Sequence, residues 1–398
     1  MNSGGAAQFD FRRGGSAPSV RWFRPGQPVR LLAVNTGSAS VKLDAVEYDG
    51  RRLRHVHAGR YDSTQCDPDA LLQDFLSLIE PPQAVVHRVV HGGDVLVESR
   101  IVDAATESAI DALGTLAPLH NPIALRWIRA CRRLLDVDQI AVFDTAFFRD
   151  LPPVARSYAI PERLSAQLGI RRYGFHGIAH QAMWRRWCRL RPDLPDGGRL
   201  ISIQLGGGCS IAAIRNGAPQ DISMGFTPLE GLMMATRSGD LDPGAVLRLL
   251  KRHPGAPEAV ERLLNEQSGL LGVSENSADM RVLIDAEDAR SHFAVELYCY
   301  RIRKYIGAYM AVLGGADGIV FGGGVGEHSP PIRAAALENL HWCGILPDAE
   351  ANRGALGAEA RIGSAASRVD LRVVHVDETA ILAAEAYAVM RGRASVSA

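Results

Sequence analysis

Two stretches of this chain share one pattern of apolar and polar positions. An apolar run, Leu31 to Val34, leads into the small polar tip Asn35-Thr36-Gly37-Ser38-Ala39-Ser40, and the return limb places Val41 and Leu43 on one side and Lys42 on the other. That order predicts a strand, a tight turn and a second strand. Leu200 to Gly217 repeats it, with an apolar run into Gly206-Gly207-Gly208-Cys209-Ser210 and an apolar return. Two like hairpins so far apart predict a duplicated fold whose two tips face one cleft.

The intervening text alternates buried-strand runs with helical stretches. Ala84 to Val90 reads as a strand carrying Arg88 and ended by His91-Gly92-Gly93. Thr106 to Leu116 reads as a helix, Leu116 to Pro122 as a loop held by two prolines, and Ile140 to Phe143 as a strand ending on Asp144. Arg171 to Gly177 is a loop opening a helix with Trp184 and Trp187. Val295, Tyr298, Ile302, Tyr305, Tyr309 and Val312 step by three and four, predicting a long helix that stops at Gly314-Gly315. Gly318 to Phe321 is a strand running into a turn at Gly322 to Glu327. Leu371 to Val376 is a last strand, and a closing helix starts near Thr379. This is an α/β pattern.

Several side chains on this frame carry chemistry. The first tip crowds Asn35, Ser38, Ser40 and Lys42 together, and hydroxyls, open amides and an ammonium suit phosphate, although such a tip can also be only a turn. Arg88, inside an apolar strand, must be ion-paired or face a cavity. Arg237 lies among small and acidic residues, in a surface loop or at a cleft. Two guanidiniums facing one cleft would suit a transferring phosphoryl group. Asp144 and Glu378 each follow an apolar strand, where they either cap a helix or serve Mg²⁺, which takes few carboxylates beside water and phosphate. His176 is a structural histidine or a donor to charge in a transition state. No G-x-x-x-x-G-K-[ST] loop is present, and Glu327 stands where a dinucleotide fingerprint at 322–326 needs its third glycine.

Composition narrows the class. The 398 residues suffice for two domains, and 47 % hydrophobic with 22 % charged residues is typical of a globular protein. With 44 acidic and 44 basic residues, the net charge offers no case for nucleic acid or a membrane surface. No apolar run approaches the ~20 residues that span a bilayer. Six scattered cysteines without a C-x-x-C fit a reducing, cytoplasmic setting, with Cys209 set apart by its place at the second tip. Residues 1–28, rich in Gly, Ser, Pro and Arg, read as a disordered extension, with a transit peptide as the alternative.

The motifs taken together resemble the acetate kinase family from Leu31 to the last helix. They are Asn-x-Gly-Ser-x-Ser-x-Lys, His-Arg-Val-Val-His-Gly-Gly, Leu-Ala-Pro-Leu-His-Asn-Pro, Phe-Asp-Thr-Ala-Phe, Arg-Arg-Tyr-Gly-Phe-His-Gly, Ser-Met-Gly-Phe-Thr-Pro-Leu-Glu-Gly-Leu and Thr-Arg-Ser-Gly-Asp-x-Asp-Pro, in family order. The resemblance implies two duplicated actin-like (ribonuclease H-like) α/β domains around a central nucleotide cleft. These would be 29–147 with 379–398, and 148–378. It implies transfer from ATP to acetate, with Mg²⁺ or Mn²⁺, by a homodimer. Asp144, His176 and Arg237 would be catalytic. Arg88 would hold the carboxylate, with Val90, Leu119, Phe175 and Pro228 as the acyl box and His120 nearby. Ser38, Ser40, Lys42, the second tip from Gln204 through Leu205, Gly206, Gly207 and Gly208, then Asp279, Met280 and Arg281, and Gly324, Val325, Gly326, Glu327 and His328 would hold nucleotide. Asn35 and Glu378 would position the metal.

Four departures matter. Gln204 and Gly207 replace a family His and Asn, implying weaker or altered phosphate-donor binding. Phe148 replaces a His, Ile178-Ala179 replace Thr-Ser, and His328 follows Gly-Glu where the family has Asn. Propionate, another donor such as pyrophosphate, and a catalytically weak nucleotide-binding regulatory paralogue remain the alternatives.

Overall fold

A computed structural model describes residues 27–37, 40–62 and 67–396. Ser38 and nearly all of the N-terminal extension lie outside the described residues. Among the described residues twelve strands form two six-stranded sheets. The first contains β1 (Val29–Thr36), β2 (Ser40–Tyr48), β3 (Leu53–Asp62), β4 (Ala84–Val89), β5 (Arg100–Ile101) and β6 (Asp138–Phe143), in the order β3-β2-β1-β4-β6-β5. The second contains β7 (Arg199–Leu205), β8 (Cys209–Arg215), β9 (Ala218–Ile222), β10 (Gly318–Gly322), β11 (Ala360–Arg361) and β12 (Asp370–Val373). Read from the other edge its order is β9-β8-β7-β10-β12-β11, the same topology. In each sheet three antiparallel strands come first, two parallel ones follow, and a short antiparallel strand closes the edge. Both predicted hairpins are present as β1-β2 and β7-β8.

Alternation along the strands explains the layering. Leu31, Ala33, Val86 and Ile140 share a core with Ile381, Leu382, Ala386 and Tyr387 of the final helix, Glu378–Val396. Leu32, Val34 and Val85 face the other way, onto Trp127 of the helix Asn121–Leu134. The last helix of the chain therefore covers one face of the first sheet. Behind the second sheet, Tyr298, Ile302, Ile306 and Tyr309 of the helix Ala289–Leu313 fill the core, and Gly314 ends that helix in the left-handed region at φ 66°.

Several boundaries differ from the sequence reading. The helix expected over 106–116 runs Ala104–Ala112 and tightens into a 3₁₀ turn at Leu113–Thr115. The last strand stops at Val373, and Val312 is exposed. The glycine run after β10 is a short helix, Gly323–His328, because Gly323 alone takes a positive φ (78°) and the chain then coils onward.

Candidate active site

Strand register assembles the first half of the site. β1 and β4 run parallel with Val34 beside His87, and β4 and β6 run parallel with Arg88 beside Val142. The C-terminal ends of the three strands thus bring Asn35, Arg88 and Asp144 side by side, where open α/β sheets bind ligands. Arg88 donates from Nε (3.1 Å) and Nη2 (2.7 Å) to Asp144 Oδ2, and from Nη1 to Asn35 Oδ1 (3.2 Å). Asn35 Nδ2 donates to Glu378 Oε2 at 2.5 Å, across 343 residues of sequence. Asp144 is wholly buried, and burial raises its pKa against the pull of Arg88. Burial works against the Arg88 charge too, but Asp144 and Glu378 outweigh it and raise its pKa. Asp144 Oδ1 also accepts from the Ile178 amide (3.4 Å) at the start of the helix Gly177–Leu190. A Cβ on Gly177 would lie 1.9 Å from the Asp144 carbonyl oxygen, so only glycine permits this approach.

Loops from the second half complete the site. His176 sits in the left-handed region (φ 58°) and turns its ring inward, with Nδ1 2.9 Å from Ser210 Oγ. Ser210 Oγ also lies 2.8 Å from His180 Nε2, and His180 Nδ1 lies 2.9 Å from Ser202 Oγ. Arg237 is buried, donates from Nη1 to the Pro228 carbonyl (3.2 Å), and has no carboxylate partner among the described residues. Its pKa is lowered by burial first and also by Arg88. A Cβ on Gly208 would be 3.1 Å from His176 Cε1 and 3.5 Å from Arg237 Nη1, which puts the second tip against both residues.

Burial keeps five histidines neutral. It lowers His87 and His91 to about 4 and His120 and His180 to about 3, and it drives His176 well below the usual value, with Arg88, His180, Arg237 and His120 adding to the effect. The unfolded chain takes up these protons below about pH 6.5 and the native fold does not. Native stability is therefore complete above that pH and falls on acidification toward 4. The loss at pH 5 should be on the order of 2 kcal/mol for each such histidine. Urea unfolding midpoints at pH 7.5 and 5.0 should show a large drop, and His87→Gln should lessen it. An unchanged midpoint would contradict neutral burial.

One cavity opens on this centre, and a second lies at the neighbouring second tip. The first, of about 330 Å³, is lined by Leu119, His120, Pro228 and Arg237 and extends toward Glu258 and Glu261. Val90 and Phe175, expected in the acyl box, are buried and do not line it, and Phe175 stacks edge-on against His91 at 5.3 Å. The other cavity, of about 930 Å³, is lined by Gly206, Gly207, Asp279, Met280, Arg281, Gly324, Val325 and His328 among others. Gly207 has open space where a side chain would stand.

Other expected nucleotide residues are not among those lining the large cavity. Gln204 packs against Gly323, and its Oε1 is buried without a partner. Leu205 is buried, and Gly208 faces His176 instead of the large cavity. Gly326 and Glu327 are buried. Glu327 caps its own helix, accepting from Gly323 N (3.0 Å) and Val376 N (3.3 Å), with His375 Nδ1 2.8 Å from Oε2. Ser40 and Lys42 stand near the first tip, opposite Asp62 and Arg60 on β3. The Cys209 thiol turns inward, 3.1 Å from the Tyr298 hydroxyl. Phe148, Ile178 and Ala179 are all core side chains.

Residues missed in the sequence support this geometry. Arg60 lines the large cavity and Ser210 bridges the two histidines. The alternation along His57–Asp62 of β3, paired against Lys42, was the signal that could have exposed Arg60. Arg333 is fully buried and donates to five oxygens: Asn352 Oδ1 (2.8 Å) and the carbonyls of Gly326 (2.8 Å), Glu327 (3.2 Å), Asn352 (2.8 Å) and Ala355 (2.7 Å). It thereby satisfies the last carbonyls of the helix Gly323–His328 that walls the large cavity.

Comparison with known proteins adds a family. The sequence profile described as Acetokinase family matches residues 71–384. The acetate kinase of Heliobacterium modesticaldum is 43 % identical over 91 % of this chain and all of its own length. Among solved structures, Porphyromonas gingivalis acetate kinase superposes with a TM-score of 0.80 at 35 % identity, covering 91 % of this chain and 100 % of that one. A propionate kinase from Francisella tularensis superposes with a TM-score of 0.77 at 31 % identity, covering 90 % and 98 %.

Proposed function

This chain belongs to the acetokinase family, and on that premise we propose that it moves a phosphoryl group reversibly between ATP and acetate, giving acetyl phosphate and ADP. The observation that carries the reading is Arg237, a buried guanidinium beside neutral His176 and without a carboxylate partner among the described residues. A desolvated cation of that kind calls for an anionic ligand. The acetate carboxylate is itself the nucleophile, so no strong general base is needed, and catalysis rests on positioning and charge stabilisation.

Each residue then takes a role. Asp144 holds the Arg88 fork rigid, and the Arg88 N–H groups left over face the carboxylate. His176 meets the phosphoryl oxygens through Nε2. Two donor arrangements fit the chain Ser202–His180–Ser210–His176. An anion at Nε2 selects the one in which Ser210 donates to His176 Nδ1, leaving a proton on Nε2 to donate onward. Glu378 would supply a carboxylate oxygen to Mg²⁺, or to Mn²⁺ in its place, an ion that takes few carboxylates beside phosphate and water. Asn35 orients that carboxylate. The bound ion would neutralise phosphate charge.

The base of the nucleotide would lie on the apolar wall formed by Met280, Ile284 and Val325, with its phosphates at Gly206 and Gly207. We read 29–147 with 379–398, and 148–378, as the two domains. The packing of the last helix on the first sheet supports that division. We place the protein in the cytoplasm as a homodimer. The amphipathic helix Pro243–Arg252 buries none of its residues fully, and Leu247 on it is 58 % exposed, as a surface awaiting a second copy would be. No helix among the described residues is long and apolar enough to cross a membrane.

Turnover of purified protein with Mg-ATP and acetate, trapping acyl phosphate as the hydroxamate, tests the reading. Acetate should be the best acid, propionate weaker, and pyrophosphate a poor donor. ATP binding without turnover on any acid would favour the regulatory paralogue.

A further inference from the structure

Lys42 on β2 and Arg60 on β3 stand directly opposite one another in antiparallel register. Residues so placed share one face of the sheet, with Cβ atoms about 5 Å apart, and like charges in that arrangement repel. Both side chains are exposed, and neither has an ion-pair partner among the described residues. An anion between them would turn the repulsion into attraction.

The cavity indicates which anion. Arg60 lines the cavity of about 930 Å³, and among the described residues it is the one lining residue from the first sheet. Every other wall belongs to the second half: the bare backbone tip at Gly206 and Gly207, and the apolar surface of Leu270, Met280, Ile284, Val325 and Pro331. An apolar wall receives a base, a glycine tip receives phosphate oxygens, and a guanidinium across from the tip can engage two of those oxygens through its fork. Resting on the nucleotide reading above, we infer that Arg60 binds the polyphosphate of the nucleoside triphosphate from the opposite sheet, with Lys42 beside it. The β2–β3 edge is then part of the nucleotide site. Nucleotide binding joins the two sheets through this contact, and the base alone does not.

Calorimetric titration with Mg-ATP and with adenosine, on wild type, Arg60→Gln and Arg60→Lys, tests this. Arg60→Gln should weaken ATP about tenfold, the loss of a charge-assisted fork, and should leave adenosine binding and the KM for acetate unchanged. Arg60→Lys should recover part of the loss. Added salt should weaken ATP binding more steeply for wild type than for Arg60→Gln. Equal ATP affinity in Arg60→Gln and wild type overturns the inference, as does an equal loss of ATP and adenosine, which would mark a structural role. If wild type binds neither ATP nor adenosine, the nucleotide reading itself fails and this inference falls with it.

Discussion

Arg237→Ala is expected to lower kcat on acetate by about a thousandfold, the scale of losing a transition-state cation, while leaving the protein as stable as wild type or more so. The two outcomes share one cause. The guanidinium is buried with a single carbonyl acceptor, so the native fold bears its desolvation without an ion pair in return. Removing it relieves the fold and disarms the chemistry. Arg88→Ala should behave differently. It strands the wholly buried Asp144 without its partner, so activity and stability should fall together. Steady-state kinetics paired with thermal denaturation of both variants separates the cases. A large drop in the Tm of Arg237→Ala, or kcat within tenfold of wild type, would remove Arg237 from the transition state. Arg237→Lys should recover only part of the rate, because it keeps the charge and loses the fork.

The second large effect is expected far from the chemistry. Arg333→Met should destabilise the fold by about 3–5 kcal/mol, since it leaves the buried carbonyl oxygens of Gly326 and Ala355 without a donor and takes one of two donors from those of Glu327 and Asn352. Burial lowers the Arg333 pKa to about 10, so the group stays charged at neutral pH and its donors stay in place. The helix it secures carries Gly324, Val325 and His328 into the large cavity. The KM for ATP should therefore rise by roughly the tenfold that one lost positioning contact costs, with little change for acetate. Chemical denaturation and the two KM values are the measurements. A midpoint equal to wild type would mean that water replaces all five bonds.

Strand-borne features were legible in the sequence because a two-residue period fixes both face and end. Arg88 and Asp144 could be placed at strand ends from their apolar neighbours alone, and the two hairpins gave away the duplication. Long-range partnership was not legible. Nothing in the spacing joins Asn35 to Glu378, or Arg333 to the glycine helix, since those contacts arise only when separate elements pack. Side-chain direction in the glycine-rich segments was equally hidden. The run at 322–327 carries no periodicity, so its helical coiling, and the inward turn of Glu327 toward His375, had no sequence signal. Arg60 was not legible either, because it lies on the third strand, away from the hairpin tips, and reaches the cleft only through its pairing with Lys42.

The final helix of the chain lies against Leu31, Val86 and Ile140, on strands of the first sheet that come far earlier in the chain. During synthesis those strands emerge well before their cover. An apolar sheet face therefore stays exposed until the helix Glu378–Val396 has left the ribosome, and the first sheet can finish folding only then. A chain that stops short of that helix should yield a sticky intermediate instead of a half-sized domain.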